Sequence, residues 1–555
     1  DWQLYEAGKQ YNNRLEPNYY DTVNANLDFF AGNQWRNLPD SEMPKPVFNI
    51  IKRVITFFVA SLTTSKVQLH YEPLQLADNT PPQIIDAASV ANGQTDLLLD
   101  KFKMEFKTRD ALFDGAITGD YAAHFYFDIN KRPYNYAPGV QGEICMELVD
   151  GTNVFFGNAN NPIVDAQPYI ILSGRDTVEN LRAEAKQYRE SEEDIEDIQA
   201  DKDYLYQAGE ASQIEVEADE SGKALYIIVY RKVKKKRKVK DPTTGLETEE
   251  DYTTITATKS VKTAYIYQDI DTGLSRYPIA WGNWEKQKNQ YHGRAVATGL
   301  LPNQIFINRM FAMVMYHLMM TAFPKAVYNA DAIELWSNAI GEAIPLTGVD
   351  YNTNIKNVAA YLEPSQMSNQ IVQVIEMVMQ YTKETMGISD AALGQIDPKN
   401  TSATIAVQKA SAIPLENPKA NLYEWVEDIG QILFDMMGTY YGTRPIVREI
   451  QGQKFTEMFD FAIFKDMWLD VKANVGESSY WSQIAANQTL DNMLAQGHID
   501  ILQYLERVPD EYIPQKDELI MQVQQRMLQA QAFAEAQAAA QQQPILPQLA
   551  QPLAG

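Results

Sequence analysis

Two long apolar segments that bracket a short insert constrain the fold of this 555-residue chain more than any other feature. The segments cover residues 294–323 and 365–388, and both carry apolar residues at helical spacing. The insert between them, residues 324–364, begins and ends with proline. Two helices that leave and re-enter a body, with a small module between them, describe a hairpin-like stalk.

The surface of this stalk indicates that it has neighbours. The second helix has one apolar stripe, whereas apolar residues surround the first helix, where five methionines lie between residues 310 and 320. Methionine is flexible and suits an interface that must tolerate sliding. An ordinary buried helix in one large domain is the alternative. The residues predicted to contact neighbours are Ile305, Met313, Leu318, Ile371, Val374, Ile375 and Val378.

A membrane span is the other reading of the first helix. Its most apolar part, residues 305–323, contains Asn308, Arg309 and His317, and its uninterrupted apolar run is about half of the ~20 residues that a span needs. The start of the chain lacks the basic and apolar regions of a signal peptide. We therefore predict a helix buried by protein, with no membrane partner.

The charge and the residue types of the chain exclude several classes of function. The formal net charge is −25, which argues against a basic groove that grips a phosphate backbone and suits a surface that repels nucleic acid. The lone Cys145 excludes an internal disulfide and is predicted to be a small core residue. Five histidines occur, none in a metal-ligand spacing, and no phosphate-binding loop or nucleophile elbow is present. No cofactor, metal or catalytic residue is expected, although a nuclease with scattered carboxylates stays open as an alternative.

Hydrophobic periodicity predicts a mixed α+β chain. Proline is expected to interrupt the later helical stretch at positions 414 and 418, and Gly115 and Gly119 are expected to close an earlier helix. The acidic residues 176–220 are predicted to form a solvated helix or loop. Helices are predicted at about 1–70, 84–120, 404–441 and from 476 onward, and strands at about 121–175, 224–284 and 443–474.

A basic run, residues 231–240, continues one of these strands. It faces an acidic connector and a threonine-rich strand, as in an exposed hairpin whose charges pair across strands. Three interpretations stay open: a solvated edge strand protected by its lysines, contact with DNA or an acidic partner, and a nuclear-localisation motif. The basic residues of this hairpin are Lys234, Lys235, Lys236, Arg237 and Lys238.

The order of these features resembles the portal proteins of tailed bacteriophages over almost the whole chain. The segments that carry the resemblance are FFAGNQW, ALFDGAITGDY, NVFFGNANNP, YPIAWGNW, LLPNQIFINRMF, NTSATIAVQKA and the Gln/Ala-rich C-terminal helix. None is a sharp signature, and the specificity comes from their order. Another virion ring, a connector or a scaffold-associated head protein is the alternative.

The resemblance implies an α+β portal fold divided into named parts. The parts are a wing at 1–293 and 404–476, stem helices at 294–323 and 365–388, a clip at 324–364, a tunnel loop at 389–403, a helical crown at 477–542 and a disordered tail at 543–555. The tunnel loop would project toward the channel and the clip would face out of the capsid. Channel residues would be Lys383, Asp397, Lys399, Asn400, Thr401 and Ser402.

The resemblance also implies partners and a location. The chain would form a ring of twelve at one capsid vertex of the virion, assembled in the host bacterial cytoplasm, as a channel for DNA packaging and ejection. It would bind the terminase large subunit, head-completion or adaptor and tail proteins, and the major capsid protein, while double-stranded DNA passes through. The clip contacts Trp336, Asn338 and Glu342 match no family motif, and the family pattern does not require the basic hairpin.

Overall fold

The computed structural model folds into two compact units, residues 1–476 and residues 477–555. It mixes helices and sheets, as predicted. The structure describes residues 1–36, 39, 43–63, 67–73, 82–132, 140–188, 195–201, 222–240, 247–322, 325–337, 339, 341–350, 352, 354–362, 369–385, 413–450, 453–467, 469–475, 489–508, 513, 516 and 519–527.

Five helices build the N-terminal part of the first unit, with a sixth after the first strands. Asn18 caps the second helix by accepting hydrogen bonds from the backbone N–H groups of Tyr20 and Asp21. The helices are α1 (Trp2–Arg14), α2 (Tyr19–Ala31), α3 (Ile50–Leu62), α4 (Pro82–Phe102), α5 (Met104–Thr118) and α6 (Val178–Tyr188).

Two glycines near the end of α5 have different roles. Gly119 ends the helix with φ 103°, and a Cβ atom there would lie 2.6 Å from the carbonyl oxygen of Gly293. Gly115 was predicted to close the helix as well, and this prediction is wrong because Gly115 lies inside α5. A Cβ atom at Gly115 would lie 2.6 Å from the ring of Tyr121, so glycine here allows close packing.

The strands form two larger sheets and three antiparallel pairs. One sheet has the order β3-β2-β9 and the other has the order β4-β5-β6-β7-β8, while β1 pairs with β14, β10 with β11 and β12 with β13. The strands are β1 (Val67–Pro73), β2 (Asp120–Asp128), β3 (Glu143–Val149), β4 (Val154–Phe156), β5 (Tyr169–Thr177), β6 (Lys223–Lys240), β7 (Glu247–Val261), β8 (Tyr265–Asp271), β9 (Ile279–Asn283), β10 (Ala326–Tyr328), β11 (Ala359–Tyr361), β12 (Thr443–Ile450), β13 (Gln453–Asp460) and β14 (Leu469–Val475).

Three long helices complete the first unit: α7 (Val296–Ala322), α8 (Asn369–Thr385) and α9 (Glu416–Tyr440). Pro418 was predicted to interrupt the last of these, and this is wrong. Pro418 lies in the first turn of α9, where the backbone N–H that proline lacks has no partner within the helix. Pro414 lies in a short 3₁₀ turn directly before the helix, so it marks the start of α9.

The main core lies around α9. Trp425 of this helix is fully buried, and its indole Nε1 donates a hydrogen bond of 3.2 Å to the carbonyl oxygen of Ala280 in β9. Helix α9 also packs against β14, which pairs with β1. Residues 67–73 and 469–475 therefore share one core although about 400 residues separate them. Cys145 is buried in β3, as predicted.

The second unit is helical where the structure describes it. Helical residues are 489–495, Ile501–Arg507 and 519–527. Asp500 caps the middle helix, and Oε1 of Gln503 accepts a hydrogen bond of 3.3 Å from the Asp500 backbone N–H. The predicted tail at 543–555 lies outside the described residues.

We predict that Asp114 makes the first unit less stable as the pH rises. Burial, reinforced by the neighbouring Asp150 and Asp110, raises the pKa of the Asp114 carboxyl to about 7. Because the folded chain then binds this proton more tightly than the unfolded chain, stability falls between about pH 4 and pH 7. Asp114→Asn should raise the free energy of unfolding at pH 8 by about 1–2 kcal/mol and leave it unchanged at pH 4. Urea titrations at both pH values would measure this, and equal effects at both would contradict it.

Candidate functional site

The buried carboxylate of Asp120 fixes the chain segment that leads into α7. Asp120 begins β2 and is fully buried. Its Oδ1 accepts hydrogen bonds from the Asn283 side chain (2.7 Å) and the Gly293 backbone N–H (2.6 Å). Its Oδ2 lies 2.7 Å from the Tyr19 hydroxyl, which donates, and 2.7 Å from Nδ1 of His292. One carboxylate thus joins α2, β2, β9 and the two residues that lead into α7.

His292 completes this cluster. Its second ring nitrogen, Nε2, lies 2.9 Å from Oδ1 of Asn12, and its ring stacks on Tyr19 with centroids 3.8 Å apart. Both ring nitrogens therefore lie within hydrogen-bond distance of an oxygen atom. Burial and the Asp120 charge hold the pKa of Tyr19 well above its usual value, so its hydroxyl stays a donor. The arrangement is structural, because every oxygen of the carboxylate has its donors.

The first half of α7 is buried and carries polar anchors. The side chain of Gln304 accepts a hydrogen bond from the Ile50 N–H (2.9 Å) and donates to the Phe48 carbonyl oxygen (2.7 Å). It also donates to Asn308, whose amide in turn donates to Gln34. This chain of amides fixes the start of α7 against the segment that leads into α3.

The second half of α7 is apolar and exposed. The exposed fraction is 49% for Met313 and 54% for Leu318, both predicted contact residues. Neighbours on the same turns are as exposed: Met315, Tyr316, Met319 and Met320. An exposed apolar surface of this extent indicates a site that another protein covers.

Helix α8 packs against α7. The remaining predicted contact residues differ in how exposed they are. Val374 is 39% exposed, whereas Ile375 is only 6% exposed because it is buried within the chain. Ile305, Ile371 and Val378 are half-buried. The exposed apolar surface of α8 therefore consists of Val374 with Val372, Met377 and Tyr381.

The insert between α7 and α8 has its own small core. Strands β10 and β11 pair its two ends, and Ala332, Ile333 and Val358 are buried. Trp336, predicted to contact a partner, stacks on Tyr328 with ring centroids 5.4 Å apart, so much of its surface is used within the insert. Glu342 is exposed and accepts a hydrogen bond from the Ser337 hydroxyl. Asn338 lies outside the described residues.

The basic hairpin is described along both backbones. Lys235 forms an ion pair with Asp271 (2.7 Å), Lys236 forms one with Glu249 (3.5 Å), and Lys234 is exposed. Charge pairing across the strands, expected for an exposed hairpin, is therefore present. For Arg237 and Lys238 only the strand pairing is described.

Most of the predicted channel residues cannot be located. Lys383 lies half-buried near the C-terminal end of α8. The whole predicted loop at 389–403 lies outside the described residues, including Asp397, Lys399, Asn400, Thr401 and Ser402. Within the described ranges, no group of three histidine, cysteine or carboxylate side chains could hold a metal ion.

Sequence reasoning assigned no role to the Asp120 cluster. Asp120 and His292 are 172 residues apart, and neither lies in a recognisable motif. The only local signal is the pair Gly119 and Gly293, whose backbones meet beside the carboxylate. No sequence pattern could have joined these residues before the fold was known.

By length and composition, α7 could cross a membrane, and it is the one helix among the described residues that meets this test. The polar anchors at Gln304 and Asn308, both buried in protein, account for its first half. The exposed second half then requires a covering protein surface, as the sequence predicts for an assembly.

The comparison with known families agrees. The family described as "Phage P22-like portal protein" matches residues 10–552. The chain belongs to this portal protein family, and it is accordingly a phage portal protein that forms a DNA channel and a docking platform at a capsid vertex. The family is structural rather than enzymatic. No curated protein matches the chain.

We predict that the Asp120 cluster contributes strongly to the stability of the first unit. His292→Ala would leave a buried carboxylate with one fewer donor and should lower the free energy of unfolding by about 3 kcal/mol. His70 is exposed, so His70→Ala is the matched control and should change stability by less than about 0.5 kcal/mol. Urea denaturation at pH 7 measures both. Equal stabilities for the two variants would contradict the role given to the cluster.

Proposed function

We propose that twelve copies of the chain form a ring whose central channel conducts double-stranded DNA into the capsid during packaging and out of it during ejection. The ring assembles in the host bacterial cytoplasm and is built into one vertex of the shell, against the major capsid protein. The observation that carries this proposal is the exposed apolar surface of α7 and α8. In a closed ring each subunit uses one surface to cover a different surface of its neighbour, so no apolar face is left in water.

We propose that α7 and α8 are the stem. Exposed Met313, Leu318 and Val374 contact the neighbouring subunit, whereas buried Ile375 joins the two helices within one subunit. Ile305, Ile371 and Val378 are half-buried, so each packs partly within the subunit and leaves part of its surface for the neighbouring subunit. Methionine side chains adapt their shape, which suits helices that shift against each other while DNA moves.

We propose that the insert is the clip, which meets the terminase large subunit and later the adaptor and tail proteins. Its paired strands and separate core support a module that keeps its shape at the end of two helices. Exposed Glu342 and the neighbouring Asn338 are the candidate contacts, while Trp336 supports the module from within.

We propose that residues 389–403 form a loop that reaches the channel. Twelve chains of −25 carry 300 formal negative charges, and this field repels DNA so that the duplex slides. Lys383 and Lys399 would then be local cations that touch phosphates in passing. Asp397, Asn400, Thr401 and Ser402 complete the proposed loop surface.

We propose that residues 1–293 and 404–476 form the wing and residues 477–542 the crown. The pairing of β1 with β14 supports a single wing made from both sequence segments, because it places residues 67–73 and 469–475 in one sheet. The start of the second compact unit at residue 477 supports a separate crown.

Substitutions on the exposed face of α7 test the stem. Met313→Asp combined with Leu318→Asp places two charges in the proposed contact and should abolish rings, because each buried unpaired charge costs several kcal/mol. Light scattering and negative-stain images would measure the loss of a particle of about 755 kDa, which is twelve times 62.9 kDa. Met458, 62% exposed on β13, provides the control Met458→Asp, which should still form rings. Double-variant rings of wild-type stability would overturn the stem assignment.

Two substitutions in the insert separate contact from support. Glu342→Lys should weaken binding of the terminase large subunit by about tenfold and leave rings and thermal stability unchanged, since Glu342 is exposed. Trp336→Ala should instead destabilise the insert by about 3 kcal/mol, because it removes the aromatic packing on Tyr328. Binding measured by surface plasmon resonance and limited proteolysis of the insert distinguish the two. Unchanged terminase binding by Glu342→Lys would exclude Glu342 as a contact.

A further inference from the structure

The exposed side of α7 carries a stripe of residues at alternating spacings of four and three. This alternation is typical of the seam along which one helix packs against another. Every residue of the stripe is exposed, and Phe306 (42%) and Met313 (49%) are among its apolar members. We call this set the α7 stripe: Pro302, Phe306, Arg309, Met313, Tyr316 and Met320.

Arg309 is the one residue of the α7 stripe that carries a full charge, and α7 contains no other lysine, arginine or carboxylate. Within the described parts of the chain, Arg309 forms no ion pair. The described segment 43–50 lies beside this part of α7, because Phe48 packs on Phe311 with ring centroids 4.2 Å apart. That segment contains Lys45 and no acidic residue. The described neighbours of Arg309 in its own subunit therefore supply no counter-ion.

A neighbour that covers the α7 stripe also covers Arg309. Phe306 and Met313 lie about one turn away on either side, so burying both removes most of the water around the guanidinium. A buried charge without a partner costs several kcal/mol. A helix that packs on the α7 stripe is therefore expected to place a carboxylate opposite Arg309.

Helix α8 carries a matching stripe that ends in a carboxylate. Its members alternate at the same spacings and are all exposed, and we call them the α8 stripe: Gln370, Val374, Met377, Tyr381 and Glu384. Oε1 of Glu384 accepts a hydrogen bond of 2.9 Å from the side-chain amide of Gln380. The other charged residues of α8 are Glu376 and half-buried Lys383, and both lie outside the α8 stripe.

Arg309 and Glu384 lie at nearly the same distance from the insert. Helix α7 leads into the insert and ends at Ala322, and α8 leads out of it from Asn369. Arg309 is 13 residues from Ala322 and Glu384 is 15 residues from Asn369, which is about 20 Å and about 22 Å of helix. Glu376 is only about 10 Å from Asn369 on the same scale. Rotation about a ring axis keeps each residue at its own height, so in stem helices that run along the channel a neighbour's Glu384 lies level with Arg309.

We propose that Arg309 of one subunit binds Glu384 of a second copy of this chain, in a contact between the α7 stripe and the α8 stripe. The planar guanidinium also stacks on Tyr381, which is 58% exposed and one turn from Glu384. A single charge pair in a mostly apolar helix contact fixes the register, because any other register leaves both charges unpaired. The inference rests on the proposed stem contact and adds its partner residue and its register.

Exchange of the two charges tests the pair. Arg309→Glu brings two carboxylates together and should raise the subunit concentration at half-assembly by about tenfold, equal to about 1.4 kcal/mol. Glu384→Arg brings two cations together and should have a similar effect. The two substitutions combined should restore assembly to within about threefold of wild type, because the pair is re-formed with its charges exchanged. Sedimentation velocity across a concentration series measures each variant.

Glu376 provides the matched control, since it is an exposed glutamate of the same helix outside the α8 stripe. Glu376→Arg should assemble within about threefold of wild type and should not rescue Arg309→Glu. Below the assembly concentration, the melting temperature of Arg309→Glu should equal that of the wild-type subunit. A lower melting temperature would place the partner of Arg309 within its own subunit and would overturn the proposal.

Three further results would also overturn the proposal. They are wild-type assembly by Arg309→Glu, rescue of Arg309→Glu by Glu376→Arg instead of Glu384→Arg, and normal rings of Arg309→Glu that lose binding of duplex DNA. Failures of the proposed function look different. A wild-type chain that forms no ring would refute the ring, and normal assembly by Met313→Asp with Leu318→Asp would refute the stem contact itself.

Discussion

The structure of the first unit depends on the carboxylate of Asp120. Because it is fully buried, its charge must be compensated within the protein, and four donors from separate parts of the chain converge on it. Two of the donors, His292 and the Gly293 N–H, lie in the segment just before α7, which begins at Val296. The carboxylate therefore fixes where the helix pair leaves the body, and Gly119 beside it allows the two backbones to approach.

A rigid base and an adaptable outer surface suit a portal. The start of α7 is fixed by the amides of Gln304 and Asn308, while its second half exposes methionines, which we propose contact a neighbouring subunit. Apolar contact supplies much of the binding free energy between subunits but carries little direction. We propose that the acidic total charge keeps DNA from binding tightly to the channel that it passes through.

Much of the local structure could be predicted from the sequence, and the errors have physical causes. The helix predicted at 294–323 is observed at Val296–Ala322. This prediction succeeded because a long apolar segment at helical spacing is typical of a helix and not of a strand. Pro418 and Gly115 were misplaced because proline is tolerated in a first turn and glycine inside a helix can serve close packing. The contact role predicted for Trp336 stays a prediction, and the structure adds its packing on Tyr328 and Tyr361, which lie on strands that meet only in the folded insert.

The sequence by itself determined the class of protein, the helix pair, the insert and the acidic charge, since these follow from periodicity, composition and order along the chain. Only the tertiary structure decided which apolar residues of the helix pair are exposed: Leu318 is exposed and Ile375 is buried, although both were predicted to contact a neighbour. It also brought Asp120 to His292, which lies 172 residues further along the chain. Such relations depend on contacts between distant residues, and a linear pattern carries no information about which distant residues will meet.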